Sequence, residues 1–130
     1  MLRILCLMAS LALATGCTTL ADARDAKGAG QGENATYAAK KGDVWDAVVG
    51  YINESDLDLI SENKSSGTIL AQRGINLANY GDNVAVFIDA LNESTTAVEA
   101  VHKKAMQTNI FGALWAQRII EFLDKKFRRQ

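Results

Sequence analysis

Apolar residues recur at helical spacing in two stretches of the chain. In the first, the residues from Val44 to Ile52 fall along one face of a helix, so we predict a helix over residues 43–54 with Asp43 as its N-cap. In the second, apolar residues fall on one face of a predicted helix and polar residues occupy the opposite face. Its apolar face carries Ile110, Phe111, Leu114, Trp115, Ile119, Phe122 and Leu123.

The chain between these two stretches alternates between apolar and polar residues, which is typical of strands. Residues 57–62 and 68–73 flank a Ser- and Gly-containing turn and predict a hairpin, whose second strand can continue to about Asn79. Residues 83–91 form the strongest apolar run, and a short turn leads from it into residues 94–102. These segments predict four strands in two hairpins.

The order of these elements is helix, four strands, helix. Short turns between consecutive strands imply an antiparallel sheet, and two amphipathic helices at its ends can both cover one face. We therefore predict an α+β fold over residues 36–130, with two layers, a four-stranded antiparallel sheet and both helices on one face. That face would carry Ile69, Ala71, Val84, Val86 and Ile88.

The first residues have the pattern of a secretory signal. Arg3 precedes an apolar run from Ile4 to Ala14, and small residues lead to Cys17. The run is too short to cross a bilayer comfortably. We predict that residues 1–16 are removed; the alternative is an ordinary signal peptide that is cut nearby.

The segment Leu13-Ala14-Thr15-Gly16-Cys17 resembles the lipobox of bacterial lipoproteins, with Ala14 where that pattern more often has leucine. The resemblance implies cleavage before Cys17, diacylglycerol on its thiol and a further acyl chain on its amine in many bacteria. Several acyl chains anchor a protein stably in a membrane. An aspartate after the cysteine commonly retains such lipoproteins in the inner membrane. Here that residue is Thr18, which implies the outer membrane, facing the periplasm.

Between Leu20 and Glu33 the sequence has no apolar residue large enough to seed a core. This stretch is rich in glycine, alanine and charge, so we predict that residues 17–35 form a flexible tether between the lipidated Cys17 and the domain. Cys6 would leave with the signal peptide, and Cys17 would then be the single cysteine of the mature protein. We therefore predict neither a disulfide nor a thiolate metal site.

The predicted domain is similar to small periplasmic lipoprotein domains of the helix-grip kind, which include the C-terminal domains of the β-barrel assembly lipoprotein BamC. The likeness spans roughly residues 36–127 and rests on the element order, on Val-Trp-Asp-Ala-Val from Val44, and on Gly-Thr-Ile-Leu-Ala from Gly67. It implies scaffolding or contact with a protein partner in the envelope, and it supplies no catalytic residue.

The charge balance argues against nucleic-acid binding. Removal of Arg3 with the leader leaves 13 basic and 15 acidic side chains, whereas a phosphate-binding surface normally has a strong basic excess. The basic residues at the end of the chain are expected to complement the negative end of a helix.

Candidate chemistry is sparse. His102 is the single histidine, and we expect it at a solvated strand end. Asp56, Asp58 and Glu62 could supply oxygen ligands to calcium, but their spacing fits no calcium loop. Alternation places Asp58 and Glu62 on one strand face, so we expect a solvated polar edge there. We predict no catalytic residue, no metal site and no cofactor.

These observations favour a non-catalytic binding or structural module of the bacterial envelope, tethered through Cys17. An unrecognised periplasmic enzyme and a carrier of an apolar ligand are the alternatives. If both helices cover one face of the sheet, alternation sends Ile60, Leu70 and Phe87 to the other face, where they would form a partner surface. The alternative is that these three are scattered, or that the register is shifted by one and the faces exchange.

Overall fold

The computed structural model describes residues 20–28, 32–73, 81–104 and 114–130. The fold is α+β. The elements, in chain order, are α1 (Leu20–Asp25), β1 (Glu33–Tyr37), α2 (Lys41–Glu54), β2 (Asp58–Asn63), β3 (Thr68–Arg73), β4 (Asp82–Asn92), β5 (Thr95–Lys104) and α3 (Trp115–Lys126).

Within the described residues, one antiparallel sheet has the strand order β1-β5-β4-β3-β2. The two predicted hairpins are present as β2 with β3 and β4 with β5. The sheet has five strands, so the prediction of four strands was wrong. The additional strand is β1. Strand β4 lies at the centre, and this position accounts for its long apolar run.

Helix α1 and the first three residues of strand β1 lie in residues 17–35, which were predicted as a flexible tether. Strand β1 pairs with β5, with Glu33 opposite Ala100 and Tyr37 opposite Thr96. The tether prediction failed here because β1 has weak alternation of its own, and the Tyr37 side chain, fully buried against α3, fixes it in place.

The larger apolar cluster, here called the helix-side core, joins α2 and α3 to one set of sheet residues. It includes all five sheet residues predicted for the face beneath the two helices, and Trp45 and Trp115 are buried in it. Its largest fully buried members, besides the two tryptophans, are Tyr37, Ile52, Ile69, Ile88, Ile119 and Leu123.

A smaller apolar cluster, here called the α1 cluster, joins α1 to residues that alternate with the first set along the strands. Alanines suit this place because a methyl side chain lets the α1 backbone approach the sheet closely. The cluster consists of Ala23, Ala26, Ala85, Phe87 and Val101, with Leu70 partly buried against it.

Two local details differ from expectation. Helix α2 begins at Lys41, and Asp43 lies in its first turn rather than at the N-cap, which is Lys40. The β2–β3 ladder has a bulge between Leu59 and Ser61, so Ile60 has no register partner there.

The β2–β3 turn requires a glycine at its end. Gly67 has a φ of 70°, and a β-carbon at this position would lie 2.4 Å from the carbonyl oxygen of Ile88. The Ile88 N–H in turn donates to the carbonyl oxygen of Gly67 at 2.7 Å. The turn is thereby held against β4.

Four sequence predictions fall outside the described residues. They are the signal peptide over residues 1–16, the acylation of Cys17, the continuation of the second strand to Asn79, and the start of the last helix near Ile110. The described part of that helix runs from Trp115 to Lys126.

Candidate functional site

A buried polar cluster lies where the sheet meets the start of α3. Asp82 opens β4 and His102 lies near the end of β5, where it is the register partner of Val84. Residues 82 and 84 point to the same side of the sheet, so both side chains of the pair face α3. His102 Nε2 and Asp82 Oδ1 are hydrogen-bonded, and the two side chains are 7% and 0% exposed.

The second nitrogen of the His102 ring is also engaged. His102 Nδ1 accepts a hydrogen bond from the backbone N–H of Trp115 at 3.3 Å, and Trp115 is the first residue of α3. No side-chain cap comes from Leu114, the N-cap residue, so the imidazole satisfies one of the free N–H groups at the start of this helix. These two bonds assign the proton of the neutral ring to Nε2.

The indole of Trp115 completes the cluster. Trp115 Nε1–H donates to Asp82 Oδ2 at 3.4 Å, so the two carboxylate oxygens of Asp82 face two different donors. An Asp–His pair of this kind orients the base in acyl-transfer triads. Here, however, proton uptake at Nδ1 would break the hydrogen bond from the Trp115 N–H. In this arrangement the cluster joins the start of α3 to strands β4 and β5 through hydrogen bonds.

The expectation that His102 lies at a solvated strand end was wrong. The ring is buried because the β4–β5 register brings it beside Asp82 and because α3 begins directly above it. Sequence reasoning also missed Asp82. The one available signal was an acidic residue at the start of an otherwise apolar strand, and its histidine partner follows only from the register.

The predicted partner surface is not an exposed patch. Phe87 is only 2% exposed and lies with the half-buried Leu70 in the α1 cluster, beneath Ala23 and Ala26. Ile60 is 52% exposed and lies at the β2 bulge. Leu70 and Phe87 belong to the α1 cluster and not to the helix-side core. The error was that α1, assigned to the tether, covers them.

The acidic residues of β2 do not form a cation site. The bulge shifts the alternation, so that Asp58, opposite Gln72, and Glu62, opposite Ile69, face different sides of the sheet, contrary to the prediction. Glu62 Oε1 accepts a hydrogen bond from Trp45 Nε1 at 3.1 Å. In the described ranges, no three histidine, cysteine or carboxylate side chains are grouped as a metal site would require.

An open groove of about 470 Å³ runs between α2 and α3. The rings of Tyr51 and Phe122 lie on its wall with their centroids 4.8 Å apart, and Arg118 and Glu54 line it beside them. Burial raises the pKa of Tyr51 above its ordinary value, although the nearby Arg118 charge opposes this shift. The groove offers an aromatic wall with a charged rim.

No protein-family model matches the chain, and a comparison with curated proteins gives no match. Among the helices of the described segments, none has the length and apolar character needed to cross a membrane.

Proposed function

We propose that the chain is a bacterial lipoprotein that is anchored in the outer membrane by lipid on Cys17 and faces the periplasm. Its folded domain acts as a non-catalytic binding or structural module of the envelope. The anchor rests on the resemblance of Leu13-Ala14-Thr15-Gly16-Cys17 to a lipobox, and the choice of membrane rests on Thr18. The partner is an envelope protein.

The environment of His102, the single histidine, is the observation that best supports a non-catalytic role. General acid–base and nucleophilic catalysis most often use an imidazole with one nitrogen free to meet the substrate. Both ring nitrogens of His102 are bound to groups of the fold, one to Asp82 and the other to the Trp115 N–H. This arrangement favours a structural role for the ring.

The packing also favours a binding module over a carrier of an apolar ligand. We infer a layered arrangement in which α2 and α3 cover one face of the sheet and α1 covers the other. The space between α2, α3 and the sheet is filled by large side chains, among them Trp45, Trp115 and Tyr37. The groove between α2 and α3 opens to solvent and has a charged rim, whereas sites for apolar ligands are mostly enclosed.

Cysteine substitutions with labelled palmitate test the anchor. Wild-type protein should take up the label and sediment with outer membranes. Cys17→Ala should abolish both, and the matched variant Cys6→Ala should abolish neither, because Cys6 leaves with the signal peptide. Label that persists in Cys17→Ala would contradict the proposal.

Crosslinking in native envelopes tests the binding role. A photoreactive residue at an exposed position, such as Leu91 or Leu114, should give a discrete crosslinked product with another envelope protein. A photoreactive residue at Ile88, which is fully buried, is the matched control and should give none. Recovery of the free chain alone from every exposed position would contradict a partner-binding role.

A further inference from the structure

Helix α1 is too short to persist without its contacts to the sheet. It has six residues, and isolated helices below about 12 residues are marginal in water. Two alanines, Ala23 in α1 and Ala26 directly after it, are buried on the sheet, whereas Ala21 in α1 is exposed. The helix therefore depends on docking at the α1 cluster.

Polar contacts directly after α1 tie Lys27 and Gly28 to the sheet. Lys27 Nζ is 2.9 Å from Asp89 Oδ2, and the same ammonium lies 5.6 Å from the centre of the Phe87 ring. The Lys27 and Asp89 side chains are 47% and 48% exposed, so solvent weakens their ion pair. The Gly28 N–H donates to Glu99 Oε1 at 2.8 Å. Small apolar contacts and a half-exposed ion pair suit a reversible attachment.

Because α1 lies close to Cys17 in the sequence, its attachment to the sheet limits the distance between Cys17 and the folded domain. Leu20 follows Cys17 by three residues, which span at most about 10 Å. If α1 leaves the sheet, the free chain runs from Cys17 to Glu33 at the start of β1, which follows Cys17 by sixteen residues. A flexible chain of that length has an end-to-end distance of roughly 20–24 Å and reaches about 55 Å when fully extended.

We propose that α1 is a latch that sets the reach of the lipid anchor, and the latch rests on the proposed acylation of Cys17. When α1 is docked on the sheet through the α1 cluster, it holds the domain directly against the membrane. Released, it lets the domain extend into the periplasm and uncovers Phe87 and Leu70. The occupant of the surface predicted for a partner is therefore this segment of the chain itself.

Two matched substitutions in the full-length, lipidated protein test the latch. Ala23→Asp places a charge in the buried contact and should release α1, whereas Ala21→Asp places the same charge on the exposed side and should not. On a supported bilayer of phosphatidylethanolamine and phosphatidylglycerol, neutron reflectometry measures the distance from the headgroups to the protein layer. Amide hydrogen exchange measures whether residues 20–28 are protected.

We expect Ala23→Asp to speed exchange in residues 20–28 by about tenfold or more and to move the protein layer outward by about 10 Å or more. Ala21→Asp should match the wild type in both measurements. Unprotected amides at residues 20–28 of the wild type would overturn the latch. Loss of protection without a change in distance would overturn it equally.

A charge exchange keeps the test valid if Ala23→Asp fails to fold. Lys27→Glu should weaken protection of residues 20–28, and adding Asp89→Lys should restore it, because the ion pair is rebuilt with reversed charges. No restoration would count against the latch. A wild-type protein without acyl chains on Cys17 would refute the proposed anchor, and the exchange data would still report separately whether α1 docks.

Discussion

Tyr37 Oη donates a hydrogen bond to Asp124 Oδ1 at 2.9 Å and thereby joins the first strand of the sheet to the last helix. Asp124 also pairs with Arg129 Nε at 3.0 Å, and the chain beyond α3 runs beside β1. The Ala38 N–H donates to the Arg128 carbonyl oxygen, and the Gln130 N–H donates to the Thr36 carbonyl oxygen, both at 2.8 Å. The last part of the β1 edge, at Thr36 and Tyr37, is thus covered by residues 128–130.

This contact predicts a loss of stability in alkali. Burial, with the hydrogen bond to Asp124 as the next cause, raises the pKa of Tyr37 to about 12 from an ordinary value of 10. Because the folded state holds the phenol proton more tightly, its stabilising contribution is complete below pH 10 and is lost as the pH rises from 10 to 12. Urea unfolding of wild type and Tyr37→Phe across this range measures the effect.

We expect the free energy of unfolding of Tyr37→Phe to fall less steeply above pH 10 than that of the wild type. Tyr51→Phe is the control that separates Tyr37 from the second tyrosine whose pKa is raised. Equal alkaline slopes for the wild type and Tyr37→Phe would contradict the assignment.

The buried polar cluster predicts that His102→Ala lowers stability. The substitution removes the acceptor of the Trp115 N–H and the ring that bonds Asp82, which should cost about 1–3 kcal/mol in the free energy of unfolding. Asn53→Ala, on the exposed side of α2, should change it by less than about 0.5 kcal/mol. Denaturant unfolding measures both.

A structural role for His102 also predicts that any cellular defect of His102→Ala follows the amount of folded protein. Raising expression should then restore the phenotype. A variant that keeps full stability and abundance but loses its cellular role would support the enzyme alternative.

Phe87 and Ile60 were grouped by sequence and are separated by the structure, so their substitutions should differ. Phe87→Ala removes a ring buried in the α1 cluster and should cost about 3 kcal/mol or more. Ile60→Ala alters an exposed side chain at the bulge and should cost less than about 0.5 kcal/mol. Similar costs for the two would contradict the burial of Phe87. Thermal or urea unfolding makes the comparison.

Hydrophobic periodicity in the sequence was sufficient to predict the elements that carry large apolar residues. Helix α2, the two hairpins and the described part of α3 were all predicted, because residues such as Val48 and Val86 mark their buried sides. Periodicity failed for α1 and β1, whose buried residues are one alanine, Ala23, and one large side chain, Tyr37. Small residues pack well but give almost no hydrophobic signal.

The candidate site depends on register, which local patterns do not contain. Asp82 and His102 are 20 positions apart and meet because β4 and β5 pair antiparallel with Val84 opposite His102. The bulge at Ile60 has a similar effect in β2, where it turns Glu62 toward Trp45 and away from the side of Asp58. One inserted residue is enough to reverse a prediction based on alternation.

The mass of the N-terminal peptide of the mature protein, purified from membranes, tests the central proposal most directly. We predict a peptide that begins at Cys17 and carries diacylglycerol on its thiol. A mature chain that begins at another residue, or an unmodified Cys17 thiol, would contradict it.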